Sequence, residues 1–180
     1  IISTLKKISE DGTKIFLMHG NRDFLVGKKF TKTTNIQILP ENFILNINGT
    51  KILITHGDLL CTDDADYQKF RKFIRNKLTL KIFNLLSNNT KIKIASYLRG
   101  KSKEITSQKP ENIMDVNQEE VFSFYQKFKT NIIIHGHTHR KNIHKTKNNG
   151  IDYTRYVLGD WHNAPSYIIF KNNKIQLCDI

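Results

Sequence analysis

Three histidines alternate in Ile132-Ile133-Ile134-His135-Gly136-His137-Thr138-His139-Arg140, where a short apolar run gives way to polar residues. Imidazole is the commonest metal-ligating side chain near neutral pH, so His135, His137 and His139 are candidate ligands. Gly136 frees the backbone to turn without a Cβ clash, which lets neighbouring rings point at a shared centre. Two other apolar runs end the same way. Residues 14–18 lead into His19-Gly20-Asn21-Arg22-Asp23, and residues 51–55 into His56-Gly57-Asp58. Asn21, His56 and His137 therefore each stand beside a glycine just past an apolar run. Strand ends that converge at the carboxyl edge of an α/β sheet are where ligands bind, and three of them carrying donors point to metal-assisted chemistry.

The elements that must position these residues follow from the pattern. Residues 131–134 read as a strand covered on both faces, and residues 14–18 as a short buried strand after the Asp11-Gly12 turn. The chain before that turn reads as helix. Residues 24–30 form a short helix or turn, and residues 36–39 a short strand closed by Pro40. Asn48-Gly49 between residues 43–47 and 51–55 is a strong hairpin signal. From Thr62 the pattern becomes helical, with cap oxygens on Thr62, Asp63 and Asp64, and with Tyr67, Phe70, Ile74 and Leu78 at three- and four-residue intervals. Phe83, Leu85, Leu86, Ile92, Ile94, Tyr97 and Leu98 continue it. A helix over residues 118–129, opened by Asn117 and Glu120, carries Val121, Phe122, Phe124, Tyr125 and Phe128 as a core stripe and delivers the chain into the histidine strand. Residues 152–158, 166–170 and 174–178 then read as a β meander, with turns at residues 148–150 and 172–173.

At 180 residues the chain is most simply one domain with one sizeable core. It has no apolar run long enough to span a membrane. Its two cysteines, Cys61 and Cys178, lie far apart, which argues against a disulfide framework or a zinc knuckle and for a reducing cytosol. The net charge of +13 calls for an anionic partner. Twelve Lys or Arg against two acids fall between Asp66 and Lys109. Basic amphipathic helices suit an anionic membrane surface. They equally suit a solvated helical cap.

Gly20-Asn21-Arg22-Asp23, His56-Gly57-Asp58 and Gly136-His137-Thr138-His139 stand in the order and spacing of the calcineurin-like metallophosphoesterases, which the chain resembles. The resemblance implies an α/β fold of four layers, a β sandwich flanked by helices, with a two-metal site at the strand ends. It narrows to the branch that hydrolyses UDP-2,3-diacylglucosamine in lipid A synthesis. Residues 21–25, Leu60-Cys61-Thr62-Asp63-Asp64, Ser102-Lys103-Glu104, Ile113-Met114-Asp115-Val116-Asn117 and Leu158-Gly159-Asp160-Trp161-His162 carry that likeness over nearly the whole chain. Most of the superfamily has another residue where Arg22 stands and lacks the Cys-Thr-Asp-Asp and Met-Asp-Val-Asn segments.

Carried over, the resemblance implies two Mn²⁺ ions, with Asn21, His56 and His137 on one and His139 on the other, while His135 supports the set from outside. It implies that Asn21, Arg22 and His137 act in catalysis and that Asn21, Arg22, Asp64, Ser102, Thr106, Lys109 and His137 contact a nucleotide-lipid substrate. Thr106 stands where the branch often has an amide. Water would attack the α-phosphorus, giving UMP and 2,3-diacylglucosamine 1-phosphate. Residues 62–109 would be a basic helical cap holding acyl chains against the anionic inner leaflet, in a monomer peripheral to the cytoplasmic face of the inner membrane. The family's Asp-x-His and Gly-Asp-x-x-Asp motifs, which supply further ligands, have no counterpart in residues 1–180. The expectation is that they precede Ile1, that the chain is the C-terminal part of the domain, and that alone it is inactive. Two readings compete: a non-catalytic remnant binding nucleotide or lipid, and a related nuclease. Aromatics at helical spacing in the basic stretch, rather than interleaved for base stacking, argue against nucleic acid.

Overall fold

The computed structural model describes residues 1–110 and 113–180, with the side chains of Lys103, Thr106 and Ser107 outside that description. The chain divides into two compact units, Ile1–Leu60 with Gln118–Ile180, and Cys61–Asn117.

In the first unit, helix α1 (Ile2–Glu10) leads through a turn at Gly12 into β1 (Phe16–Met18), then α2 (Lys28–Thr34) and β2 (Gln37–Leu39). β1 and β2 pair in parallel, Leu17 opposite Ile38. β3 (Asn42–Ile47) and β4 (Thr50–Thr55) form the hairpin expected at Asn48-Gly49. Both turn residues have positive φ, 51° and 82°, the geometry of a tight turn matched to the twist of the strands.

After the second unit the chain returns as α6 (Gln118–Phe128), β5 (Ile132–His135), β6 (Asn142–Asn148), β7 (Ile151–Val157), β8 (Ser166–Lys171) and β9 (Lys174–Asp179). A mixed five-stranded sheet runs in the order β3-β4-β5-β7-β6, and β8 pairs with β9 alone. β5 lies between β4 and β7, parallel to both, with Leu53 opposite Ile133 and Ile133 opposite Arg155. Ile52, Leu53, Ile133 and Val157 are all but inaccessible and make the sheet's core. Val121, Phe124 and Tyr125 of α6 are buried, and Phe122 and Tyr125 place their rings 5.6 Å and 4.7 Å from that of Tyr153 on β7. Thr130 fixes the entry to β5 by donating to the Lys51 carbonyl at 2.6 Å. The α/β class and the helix-flanked sheet expected from the sequence are thus present.

β6 corrects the sequence reading, which had no strand there. Asn-Ile-His-Lys-Thr-Lys-Asn lacks the alternation of a half-buried strand because β6 is an edge, and lysines are what a sheet edge carries to stay unpaired.

The second unit holds α3 (Ala65–Ile74), α4 (Lys77–Leu85) and α5 (Asn88–Gln108). The stripe from Tyr67 to Leu78 is broken: Asn76 caps α4 by accepting the Leu78 N–H at 2.8 Å. Asp64 caps α3 through the Tyr67 N–H, 3.0 Å, and also receives Lys109 Nζ on both oxygens, at 2.5 and 2.7 Å. Asn117 donates to Asp63 at 2.9 Å and the Cys61 thiol to the Met114 carbonyl at 3.7 Å. Polar bonds therefore join the two ends of this unit. Among the described residues no helix is long and apolar enough to cross a membrane.

Candidate active site

β4 and β5 run parallel, so the turns that follow them leave the sheet at one edge. The first holds His56-Gly57-Asp58 and the second Gly136-His137-Thr138-His139. The Gly136 N–H donates to the His56 carbonyl at 3.1 Å and ties the turns together. The rings of His56 and His137 lie edge to face with centroids 4.9 Å apart. The end of β1 reaches the same place, because a Cβ on Gly20 would lie 3.0 Å from His56 Nε2. Gly20 donates its N–H to Asp23 Oδ1 at 2.5 Å, and His19 Nε2 is 2.7 Å from the Val26 carbonyl, which closes the loop carrying Asn21 and Arg22. Asn21 is half-buried and Arg22 exposed.

The backbone at the histidines is unusual. His137 has φ of 65° and His139 of 58°, the left-handed region that side chains with a Cβ rarely occupy. Such outliers cluster where function demands a particular presentation. His56 Nδ1 is buried with no hydrogen bond; Asp58 Oδ1 stands 3.2 Å away without the alignment of one. An imidazole nitrogen left in that state fits a coordination role.

His135 is different. Its ring is 1% exposed, with Nδ1 2.9 Å from the Gly136 carbonyl and Nε2 3.0 Å from Arg155 Nη1. Burial, with the Arg155 charge as a smaller contribution, pushes its pKa down to about 3. Both nitrogens are engaged, so of the three alternating histidines the strand buries one and presents two.

The donor set fits part of a divalent site. Two imidazoles and an amide suit a metal of borderline character, and the orphaned His56 nitrogen agrees with that. Among the described residues no group of three or more His, Cys, Asp or Glu is set to hold an ion, so the residues do not by themselves make up a two-ion centre.

The remaining expected site residues lie in the second unit. Asp64 and Lys109 are paired to each other, Ser102 is exposed on α5, and the Thr106 side chain lies outside the described residues. Sequence reasoning missed Arg155, which is 4% exposed. Its only signal was a strand period that sets it on the same face as Tyr153 and Val157.

The profile of the calcineurin-like phosphoesterase family matches residues 2–141. A UDP-2,3-diacylglucosamine hydrolase of Yersinia pseudotuberculosis serotype O:1b (strain IP 31758) is 40% identical over 177 residues, covering 98% of this chain and 74% of the relative. One of Yersinia pestis bv. Antiqua (strain Angola) matches with the same identity and coverage. The solved structure of an archaeal phosphodiesterase superposes on the whole chain and 77% of its own, with a TM-score of 0.48 and 11% identity. A family profile spanning most of the sequence, and relatives this similar over nearly all of it, mean that the chain belongs to the calcineurin-like phosphoesterases and, among them, to the UDP-2,3-diacylglucosamine hydrolase group.

Proposed function

We propose that these residues serve hydrolysis of the pyrophosphate of UDP-2,3-diacylglucosamine, with water adding to the α-phosphorus, to give UMP and 2,3-diacylglucosamine 1-phosphate in lipid A synthesis. The observation that carries the reading is the pair of clamped turns setting His56 and His137 ring to ring, 4.9 Å apart, in a chain 40% identical to hydrolases of that name over 98% of its length.

Asn21, His56 and His137 would hold one Mn²⁺, and His139 would belong to a second. A divalent ion supplies there Lewis acidity toward phosphoryl oxygens and a water acidic enough to attack at neutral pH. Arg22 offers a forked pair of donors to the same phosphoryl oxygens and keeps its charge throughout. Asp64, Ser102, Thr106 and Lys109 are assigned to the nucleotide, sugar and phosphate. The basic helices serve as a cap for the acyl chains and as the contact with an anionic leaflet, in a monomer peripheral to the cytoplasmic face of the inner membrane and without a nucleic-acid role.

Because the donors among the described residues fall short of two ions, residues 1–180 alone bind at most one ion and turn over little substrate. The same shortfall favours a second reading, a remnant that binds nucleotide or lipid without catalysis. The test is UMP release from UDP-2,3-diacylglucosamine, with and without Mn²⁺ and in ¹⁸O-water, by the gene product carrying these residues. Label in the UMP, and loss of turnover in His137→Ala and Asn21→Ala, supports the reading. Binding of UMP without turnover under any metal means the remnant.

A further inference from the structure

We propose that Arg155 and His135 are a positioning pair that holds closed the strained turn presenting His137. The inference rests on the reading of His137 as a metal ligand.

The Thr138 N–H donates to the Gly136 carbonyl at 2.8 Å, an i to i+2 closure with His137 at its apex and φ of 65°. This is the rare, strained form of γ-turn, unfavourable for any residue with a Cβ. A turn of that kind persists only when its surroundings over-determine it. Arginine has no acceptor, so His135 Nε2 must be the acceptor of the 3.0 Å contact with Arg155 Nη1. The ring's one proton then sits on Nδ1 and is donated to the Gly136 carbonyl at 2.9 Å. The carbonyl that closes the γ-turn thus receives a second donor, whose tautomer Arg155 fixes.

Gly136 is held through its N–H as well. The Gly136 N–H bonds the His56 carbonyl at 3.1 Å. Gly57, at φ of 109°, presses so close that a Cβ there would stand 2.8 Å from His135 Nδ1 and 3.0 Å from the Gly136 oxygen. Arg155 reaches the ring from β7, where it pairs with Ile133 in register and is 4% exposed. A network of hydrogen bonds therefore links Arg155 through His135 to Gly136, whose carbonyl also accepts from the turn at His137 and whose N–H donates to the His56 carbonyl. Both ring nitrogens of His135 are engaged in this network, so the pair acts on the turn and not as a ligand.

The experiment is made on the gene product carrying these residues, with Mn²⁺ as the probe. In the unsubstituted protein, ¹⁵N-imidazole correlation spectra are expected to show His135 protonated on Nδ1 and bare on Nε2; a proton on Nε2 overturns the proposal. Arg155→Met is expected to weaken Mn²⁺ binding, read by electron paramagnetic resonance, by about 3- to 10-fold, less than the roughly 10- to 100-fold that follows loss of a partner bonded to a ligand itself, because Arg155 acts on His137 only through His135 and the turn. In steady state kcat should fall with KM little changed, and Arg155→Lys should recover most of both. Unchanged Mn²⁺ affinity in a folded Arg155→Met overturns the positioning role and leaves the metal reading standing. If the unsubstituted protein binds no Mn²⁺, the metal reading itself fails, and the inference with it.

Discussion

The strand-end edge of the first unit and the helices of the second are built on opposite terms. At the edge, His135, Arg155, Asp58 and Gly57 are buried, and Gly136 is tied through both its N–H and its carbonyl. In the second unit Leu85 is 81% exposed, Phe73 and Leu78 65% each, and polar bonds tie its two ends together. The first arrangement fixes atoms against strain. The second leaves apolar side chains facing solvent among lysines, which is what the proposed lipid-facing cap would require. A substitution at the edge should therefore alter chemistry through geometry, while one on the helices should alter what the protein touches and leave its stability alone.

The sharpest break of the edge is His137→Ala. On the reading of His137 as a metal ligand, losing that donor forfeits several kcal/mol of charge stabilisation, so kcat/KM for UMP release should fall on the order of 10³-fold. The half-buried ring contributes little packing, so the melting temperature should hardly move. Gly57→Ala should be felt both ways. A Cβ at φ of 109° is strained whatever the space, at roughly 1–2 kcal/mol for a left-handed residue, and it meets the His135 ring besides. We expect about 2–4 kcal/mol lost in urea unfolding, from strain and overpacking combined, with Mn²⁺ affinity falling in parallel. Gly57→Ala that loses stability but keeps its affinity would separate the seat of His135 from the site.

Why some of this could be read in the sequence and some not follows from where the information lies. Asn48-Gly49, Asn149-Gly150 and Asn172-Asn173 all take positive φ, and the residue types that tolerate it announced their turns. Asn21, His56 and His137 were visible because a donor beside a glycine after an apolar run is a local pattern. The α3–α4 boundary was not, since the apolar spacing continues across it while Asn76, which caps the second helix, resembles any polar residue. Arg155 was easily passed over for a different reason, its one signal being the strand period it shares with Tyr153 and Val157. An arginine in a strand reads as outward, and only the pairing of β7 with β5 turns it inward onto His135. Gly57 could be read as part of a motif, but the ring it makes room for comes from a strand nearly eighty residues later.

Acid should act on the edge through the buried histidine. His135 stays neutral in the fold down to about pH 3, chiefly through burial, against an ordinary 6.5. Between those values the unfolded chain takes up a proton that the folded one refuses, so this contribution is full above pH 6.5 and is lost as pH falls. The slope approaches about 1.4 kcal/mol per unit below 6.5. Urea unfolding of chelator-treated protein at pH 7.5 and pH 5.5, with His135→Gln alongside, isolates it from the carboxylates common to both. Equal slopes for the two proteins would mean that the ring charges without disturbing the edge.

The smallest effect on the fold should come from the helices, and it bears most directly on the contrast. Phe73→Ser with Leu85→Ser removes apolar area that already faces water, 65% and 81% exposed. Exposed substitutions away from caps and cores stay within about 0.5 kcal/mol each, so unfolding should be nearly unchanged. On the reading of these helices as a lipid-facing cap, the pair should weaken binding to vesicles containing anionic phospholipid by several-fold, each lost side chain forfeiting part of its insertion energy. Raised salt should weaken the unsubstituted protein as well, because the lysines around those side chains act through a screened field. Turnover of a short-acyl substrate presented without membrane should stay near that of the unsubstituted protein. Were vesicle binding to survive both substitutions and still vanish in salt, the helices would be adsorbing by charge alone, and their exposed side chains would need a different partner from lipid.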